Sequence, residues 1–279
     1  LNTKAVVVIP VHSETPSTDE LLAFEQCYTI LSNHDIVVVH PKGLDLSRYL
    51  AIVPGLKNLG IDPIWQSSLK NYNRLKCSYF FYSLFSSYDY LLTYELDAYI
   101  FRNELVDWCH SGYSYIGAPW FEGYSQPVIP SKFIPGGNSG FSLRNVQDCL
   151  RVLKRIHQLE RLNRLYKKLK LQTFCSFPTF LKLTSIKKAF NIKDTYYLGY
   201  ILANHFVNED KFWSVWVPSI YTDFKVAPHH VALKFSFEVN PEHLYKLNHE
   251  TLPFGCHAWL KYDKSFWLNY IPYQDGSEN

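Results

Sequence analysis

The chain has no methionine, no Cys-x-x-Cys pair and no Asn-x-Ser/Thr glycosylation acceptor. It also has no apolar run approaching the ~20 residues that a membrane-spanning helix needs, and no segment with the make-up of a secretory leader. The six cysteines, Cys27, Cys77, Cys109, Cys149, Cys175 and Cys256, are scattered. That argues against a zinc site and a disulfide framework, and it fits a reducing, cytoplasmic compartment. The missing Met carries no functional information. Internal repeats and low-complexity linkers are absent, so 1–279 reads as one domain.

What is present is an ordinary folded composition: 47% of residues are apolar and 19% charged, which excludes a disordered chain. Aromatic residues reach 17%, with 21 Tyr and 19 Phe, which suits either a sugar-facing surface or an aromatic core. Charge is unevenly spread. Between Arg144 and Lys193 there are 13 Lys and Arg against two acids, while the whole chain is only +3. This basic helical segment, 145–200, suits an anionic membrane surface and peripheral attachment there, or a phosphorylated ligand, or a merely solvated face. No nucleic-acid motif accompanies it.

Ala5-Val6-Val7-Val8-Ile9-Pro10 and Asp35-Ile36-Val37-Val38-Val39 are short β-branched runs of the kind buried in parallel sheets. Ile61–Trp65 is a candidate third strand. Helical spacing over Thr18–Leu31 and from Tyr72 to Phe85 alternates with these runs, and Gln147–Leu171 carries a leucine stripe. The pattern predicts an α/β fold with a mostly parallel, doubly wound sheet flanked by helices.

The most informative stretch is Thr93-Tyr94-Glu95-Leu96-Asp97-Ala98. Two acids follow an apolar run at a spacing that puts them on one face of a strand. Open α/β sheets bind ligands at the carboxyl ends of their strands. Paired hard oxygen ligands there suit Mn²⁺ or Mg²⁺ on the phosphates of a nucleotide. Pro10 and His12, at the end of the first strand, lie where a base or ribose would sit. Asn73, Arg74 and Lys76 open a helix beside them, and the basic pair suits phosphate or a uracil edge. Trp120 places an aromatic by the cleft. Pro135-Gly136-Gly137-Asn138-Ser139-Gly140 reads as a glycine-rich substrate loop. Glu209 and Asp210 serve either as a general base or as a helix cap. His257, between Gly255 and Trp259, is a candidate third metal ligand.

Six stretches occur in order: Tyr72-Asn73-Arg74-Leu75, Tyr94-Glu95-Leu96-Asp97-Ala98, Tyr115-Ile116-Gly117-Ala118-Pro119-Trp120, Gly137-Asn138-Ser139-Gly140-Phe141-Ser142-Leu143-Arg144, Asn208-Glu209-Asp210 and Pro253-Phe254-Gly255-Cys256-His257-Ala258-Trp259. Together they resemble a family of bacterial and viral proteins with a GT-A-type glycosyltransferase fold, catalogued largely as a domain of unknown function. The resemblance implies a GT-A-like Rossmann-type mixed sheet with 145–200 as an insertion and 201–262 as an acceptor-binding and metal-closing part. It implies transfer of a sugar from a nucleotide diphosphate sugar, UDP-linked by fold type, to a hydroxyl of a glycan or lipid-linked glycan, with inversion, in bacterial surface polysaccharide assembly. Asp97 and His257 match the metal ligands. Glu95 stands where many members carry Asp, which leaves its share between the metal and the ribose open. Asp210 falls at the catalytic base, with Glu209 as the alternative. Tyr94 goes with the nucleotide, while Gly137, Asn138, Ser139, Trp120 and Trp259 go with the sugars.

Two other functions compete with this one. A nucleotidyltransferase acting on a sugar phosphate needs a phosphate loop that Val11-His12-Ser13-Glu14-Thr15 does not provide. A non-catalytic carbohydrate-binding module has no use for Glu95, Asp97 and His257.

Overall fold

The computed structural model describes residues 3–127, 131–169, 176 and 192–272. Its frame is a six-stranded sheet. Ala5–Pro10 (β1) pairs in parallel with Asp35–Pro41 (β2) on one side and with Tyr90–Tyr94 (β4) on the other. Lys57–Ile61 (β3) extends the parallel edge beyond β2. Tyr115–Phe121 (β6) and Phe133–Asn145 (β7) complete the sheet, with β7 antiparallel to both β4 and β6. This is the mostly parallel, mixed α/β sheet that the sequence predicts. The third strand lies earlier than expected, at 57–61 rather than 61–65. It is a half-exposed edge strand, so it lacks the continuous apolar run of β1 and β2.

The strands are buried on both faces, so their alternation feeds two cores. Val7, Ile9 and Leu92 join one apolar cluster, and Val6, Val8 and Leu91 join the other. Thr18–Ile30 (α1) packs Ala23, Phe24 and Cys27 into the first, and Tyr49 of Ser47–Ile52 (α2) joins them. Ser17 caps α1, and the side chain of Glu20 returns to the Ser17 backbone N–H, a reciprocal cap that fixes where the helix starts. On the opposite face lie Leu69–Lys76 (α3) and Tyr79–Ser83 (α4), two helices where the sequence suggests one. Ser78 makes the break: its hydroxyl accepts from the Phe81 N–H and starts the second helix.

Leu105–His110 (α5) leads into β6, and Val146–Lys168 (α6) follows β7 and packs on Ile192–Asn204 (α7). These two helices are the described part of the basic segment; much of 169–191 lies outside the described residues. Among the described residues no helix is long and apolar enough to cross a membrane. Glu209–Lys211 (α8) runs through a π-helical turn, Phe212–Trp216, that buries Phe212 and Trp213.

A second, three-stranded sheet closes over the first. Tyr99–Ile100 (β5), Ser236–Phe237 (β8) and Gly255–Cys256 (β9) are joined in the order β5-β9-β8. Each strand is two residues long, yet this sheet decides where the candidate site forms.

Candidate functional site

The small sheet gathers three acidic or basic side chains from distant parts of the chain. β5 runs antiparallel to β9, with Tyr99 opposite Cys256. β8 runs parallel to β9, with Phe237 beside Cys256. The start of β5 and the ends of β8 and β9 therefore share one edge. Asp97 precedes β5, Glu238 follows β8 and His257 follows β9, so all three emerge there. The His257 N–H donates to Phe237 O at 2.9 Å and locks the third strand end in place.

Glu95 and Asp97 reach this edge by a different local geometry from the expected strand face. β4 ends at Tyr94, and the two acids sit in a turn closed by the Ala98 N–H donating to Glu95 O at 2.8 Å. Ligand atoms of Glu95, Asp97 and His257 all fall within 4.8 Å of one another. His257 Nε2 lies 3.1 Å from Asp97 Oδ1 and 3.7 Å from Glu95 Oε2. Despite the short distance to Asp97, the buried Nε2 makes no well-directed hydrogen bond, so this is a contact of charge and not of shared hydrogen. On the other side of the ring, Nδ1 is 3.1 Å from Glu238 Oε1.

Burial alone would lower the pKa of His257, but Asp97, Glu238 and Glu95 outweigh it and hold the imidazole well above its ordinary value. Burial would raise Glu95, yet Lys76 and His257 hold its carboxyl well below the ordinary value. The setting thus favours positive charge at its centre. An orphaned imidazole nitrogen facing two carboxylates fits a divalent cation with oxygen and nitrogen ligands.

Glu95 is also anchored from behind. Tyr72 OH and Lys76 Nζ donate to its Oε1 at 2.8 and 2.9 Å. Lys76 is 1% exposed, so it does not reach out to phosphate as expected; it bridges Glu95 and Glu209 inside the protein. Glu209 takes Lys76 at 2.5 Å and Arg144 Nη2 at 2.9 Å, and its N–H donates to Asn73 Oδ1. Burial pushes Glu209 up, but Arg144 and Lys76 override this and keep it below its ordinary value. A carboxylate 2% exposed and doubly paired cannot take a proton from a substrate, so Glu209 is a structural anion and not the alternative base.

Two cavities flank this arrangement. The first, about 500 Å³, is lined by Pro10, His12, Ser13, Ser68, Leu69, Tyr72, Glu95 and Asp97 among others. It lies between the ends of β1 and β4, where the strand order reverses, the place at which open α/β sheets bind ligands. The second, about 370 Å³, is lined by Trp120, Tyr124, Asn138, Asp210, Lys211, Glu238 and Tyr262 among others. Asp210 is raised to about 6, first by burial and then by the neighbouring Glu209 charge.

Several expected residues stand elsewhere. Tyr94 is fully buried and donates to Ala23 O, so it has no access to the cleft. Asn73 is buried as the anchor of Glu209, and Arg74 is exposed and does not line the first cavity. Trp259 is 0% exposed and packs edge-on against Tyr99, so it offers no face to a sugar. The glycine-rich stretch is part of β7 and not a loop. Its glycines still serve close approach: a Cβ at Gly140 would lie 2.0 Å from His257 Nε2. Ser139 lies behind the site, with its hydroxyl 3.4 Å from Lys76 Nζ.

Sequence reading missed Glu238 and the buried roles of Lys76 and Arg144. A single acid after a short strand has no distinguishing pattern, and lysine and arginine read as surface residues by default.

Among solved structures, the chain is similar to mouse xyloside xylosyltransferase 1, with 12% identity, 92% of this chain and 97% of that chain covered, and a TM-score of 0.48. It is similar to the glycosyltransferase GlyE of Streptococcus pneumoniae TIGR4, with 14% identity, 98% of this chain but only 61% of that chain covered, and a TM-score of 0.48. It is similar to core-mannan synthase A of Aspergillus fumigatus in its Mn/GDP form, with 10% identity, 80% and 72% covered, and a TM-score of 0.48. Likenesses this loose carry no chemistry across. No curated protein matches the chain. A family model does, over residues 56–257, a span that takes in the acid pair, Asp210, Glu238 and His257, and the chain belongs to that family, the proteins of unknown function DUF5672.

Proposed function

We propose that the protein is a metal-dependent glycosyltransferase that moves a sugar from a nucleotide diphosphate sugar to a hydroxyl of a glycan or lipid-linked glycan. The observation that carries this is the meeting of Asp97, Glu95 and the orphaned His257 Nε2 at the rim of the switch-point cleft. Those three residues would hold Mn²⁺ or Mg²⁺. When bound there, the cation would neutralise the charge of a departing nucleoside diphosphate.

The chain's own residues supply the rest. Pro10, His12 and Ser13 line the end of the first cavity expected to take the nucleoside. Lys76 and Tyr72 fix Glu95 so that its second oxygen faces His257. In the second cavity Trp120 and Asn138 border a space large enough for an acceptor sugar, and Asp210 stands there with a pKa of about 6. A carboxylate poised at that value accepts a proton from an attacking hydroxyl near neutral pH better than an ordinary one does. Attack from the acceptor side, opposite the leaving group, gives inversion. A uridine donor and a role in surface polysaccharide assembly belong to the same proposal and rest on family resemblance.

The test is release of nucleoside diphosphate from a panel of nucleotide sugars, with and without Mn²⁺. Slow metal-dependent release is expected, abolished by EDTA and by Asp97→Asn. Undiminished release under either condition would remove the metal from the mechanism. No release from any donor, with or without acceptors, would favour a binding module instead.

A further inference from the structure

Glu238 occupies a position that the reading above leaves unused. It is 7% exposed, and a single oxygen, Oε1, takes two contacts. His257 Nδ1 lies 3.1 Å from it, and Asn138 Nδ2 donates to it at 2.8 Å. The chain of contacts continues. Asn138 Oδ1 accepts from the Gly140 N–H at 2.7 Å, and Gly140 O accepts from the Glu95 N–H at 2.9 Å. Glu95 Oε2 then faces His257 Nε2 at 3.7 Å. The circuit is closed, and it runs from the acceptor-side cavity to the metal-side acids.

We infer that Glu238 is the positioning residue of the metal site: it fixes His257 in the tautomer protonated at Nδ1, aims Nε2 at Glu95 and Asp97, and ties that orientation to Asn138 in the acceptor-side cavity. Glu238 Oε1 already accepts from Asn138 Nδ2, so that oxygen is an acceptor and Nδ1 carries the hydrogen, which leaves Nε2 as the nitrogen whose lone pair a cation would take in place of a proton. The surroundings leave His257 no freedom to turn away, because Gly140 backs directly onto its ring. Glu238 is not itself a ligand: the group of ligand atoms that meet contains Glu95, Asp97 and His257 without it. The inference rests on the metal reading above.

The experiment is calorimetric titration of the full chain with Mn²⁺ alone. Glu238→Ala is expected to weaken Mn²⁺ binding by about 10- to 100-fold, the usual cost of losing the partner that orients a ligating histidine. Glu238→Gln retains an oxygen that can accept from both Nδ1 and Asn138, and it is expected to recover most of that affinity. Parent-like binding in a folded Glu238→Ala, or equal loss in both variants, overturns the positioning role. Should Glu238→Ala fail to fold, the unaltered protein still decides the matter. Loaded with diamagnetic Mg²⁺, its His257 ring nitrogens, assigned by their loss in His257→Gln, should show hydrogen on Nδ1; hydrogen on Nε2 overturns the inference. If the parent binds neither cation, the metal reading itself falls, which is a different result from a parent that binds and a variant that binds equally well.

Discussion

Asp210 and Glu209 are neighbours in sequence with opposite electrostatic fates. Glu209 is paired with two buried cations and stays ionised. Asp210 is desolvated without such a partner, and it feels the Glu209 charge as well. Its pKa of about 6 in the fold, against 3.8 for a free aspartate, has two consequences of defined sign. The fold favours the protonated form, so this group's contribution to stability is present below about pH 4 and is lost as pH rises through about 6. A base must be ionised, so kcat/KM is expected to fall below an apparent pKa of about 6. Asp210→Asn should abolish that acid limb and lower turnover by at least about 100-fold. A limb that survives the substitution, read from the pH–rate profile, would assign it to another group. The two acids look equivalent in the sequence; only the arrival of Lys76 and Arg144 from other elements separates them.

Among the elements, the small sheet is the sensitive one. Gly255 in β9 sits against the ring of Phe141, where a Cβ would come within 2.5 Å. Gly255→Val should therefore push β9 away from β5 and misplace His257. The expected outcome is loss of Mn²⁺ binding with the far-UV circular dichroism of the main sheet retained; intact binding would show that the strand end tolerates the shift. The sequence made the main sheet legible because β1, β2 and β4 are continuous apolar runs, which only a doubly covered strand requires. It also marked the acid pair, although the acids meet through a turn and not a pleat. Phe235-Ser236-Phe237-Glu238 reads as a short late strand or turn, and β8 forms within it, but two residues carry too little periodicity to say where the acid after them points. Glu238 was hidden for that reason, and Trp259 was misread because an aromatic near a candidate ligand looks the same whether it faces a sugar or the core.

For the whole molecule, a cation held as proposed between Glu95, Asp97 and His257 would be a stabilising ligand. Asp97 and His257 are brought together only by the folded chain, so an unfolded one has no comparable site. Mn²⁺ at 100 times its dissociation constant should add about 2.7 kcal/mol to the stability of the native state. That is a rise of several degrees in Tm by differential scanning calorimetry, and Asp97→Asn should show none. Equal shifts in the two proteins would mean that the ion binds elsewhere.

The two-rung pairing of β5 with β9 also sets an order of events. Every strand of the main sheet lies before residue 146, so a growing chain can complete its scaffold early. The imidazole comes more than a hundred residues later and must close a very long loop to dock, the kind of non-local step that folds slowly. A translation product interrupted in that interval would hold the strands of the main sheet without the imidazole, and one cut before Glu209 would also lack the anion that neutralises Lys76 and Arg144.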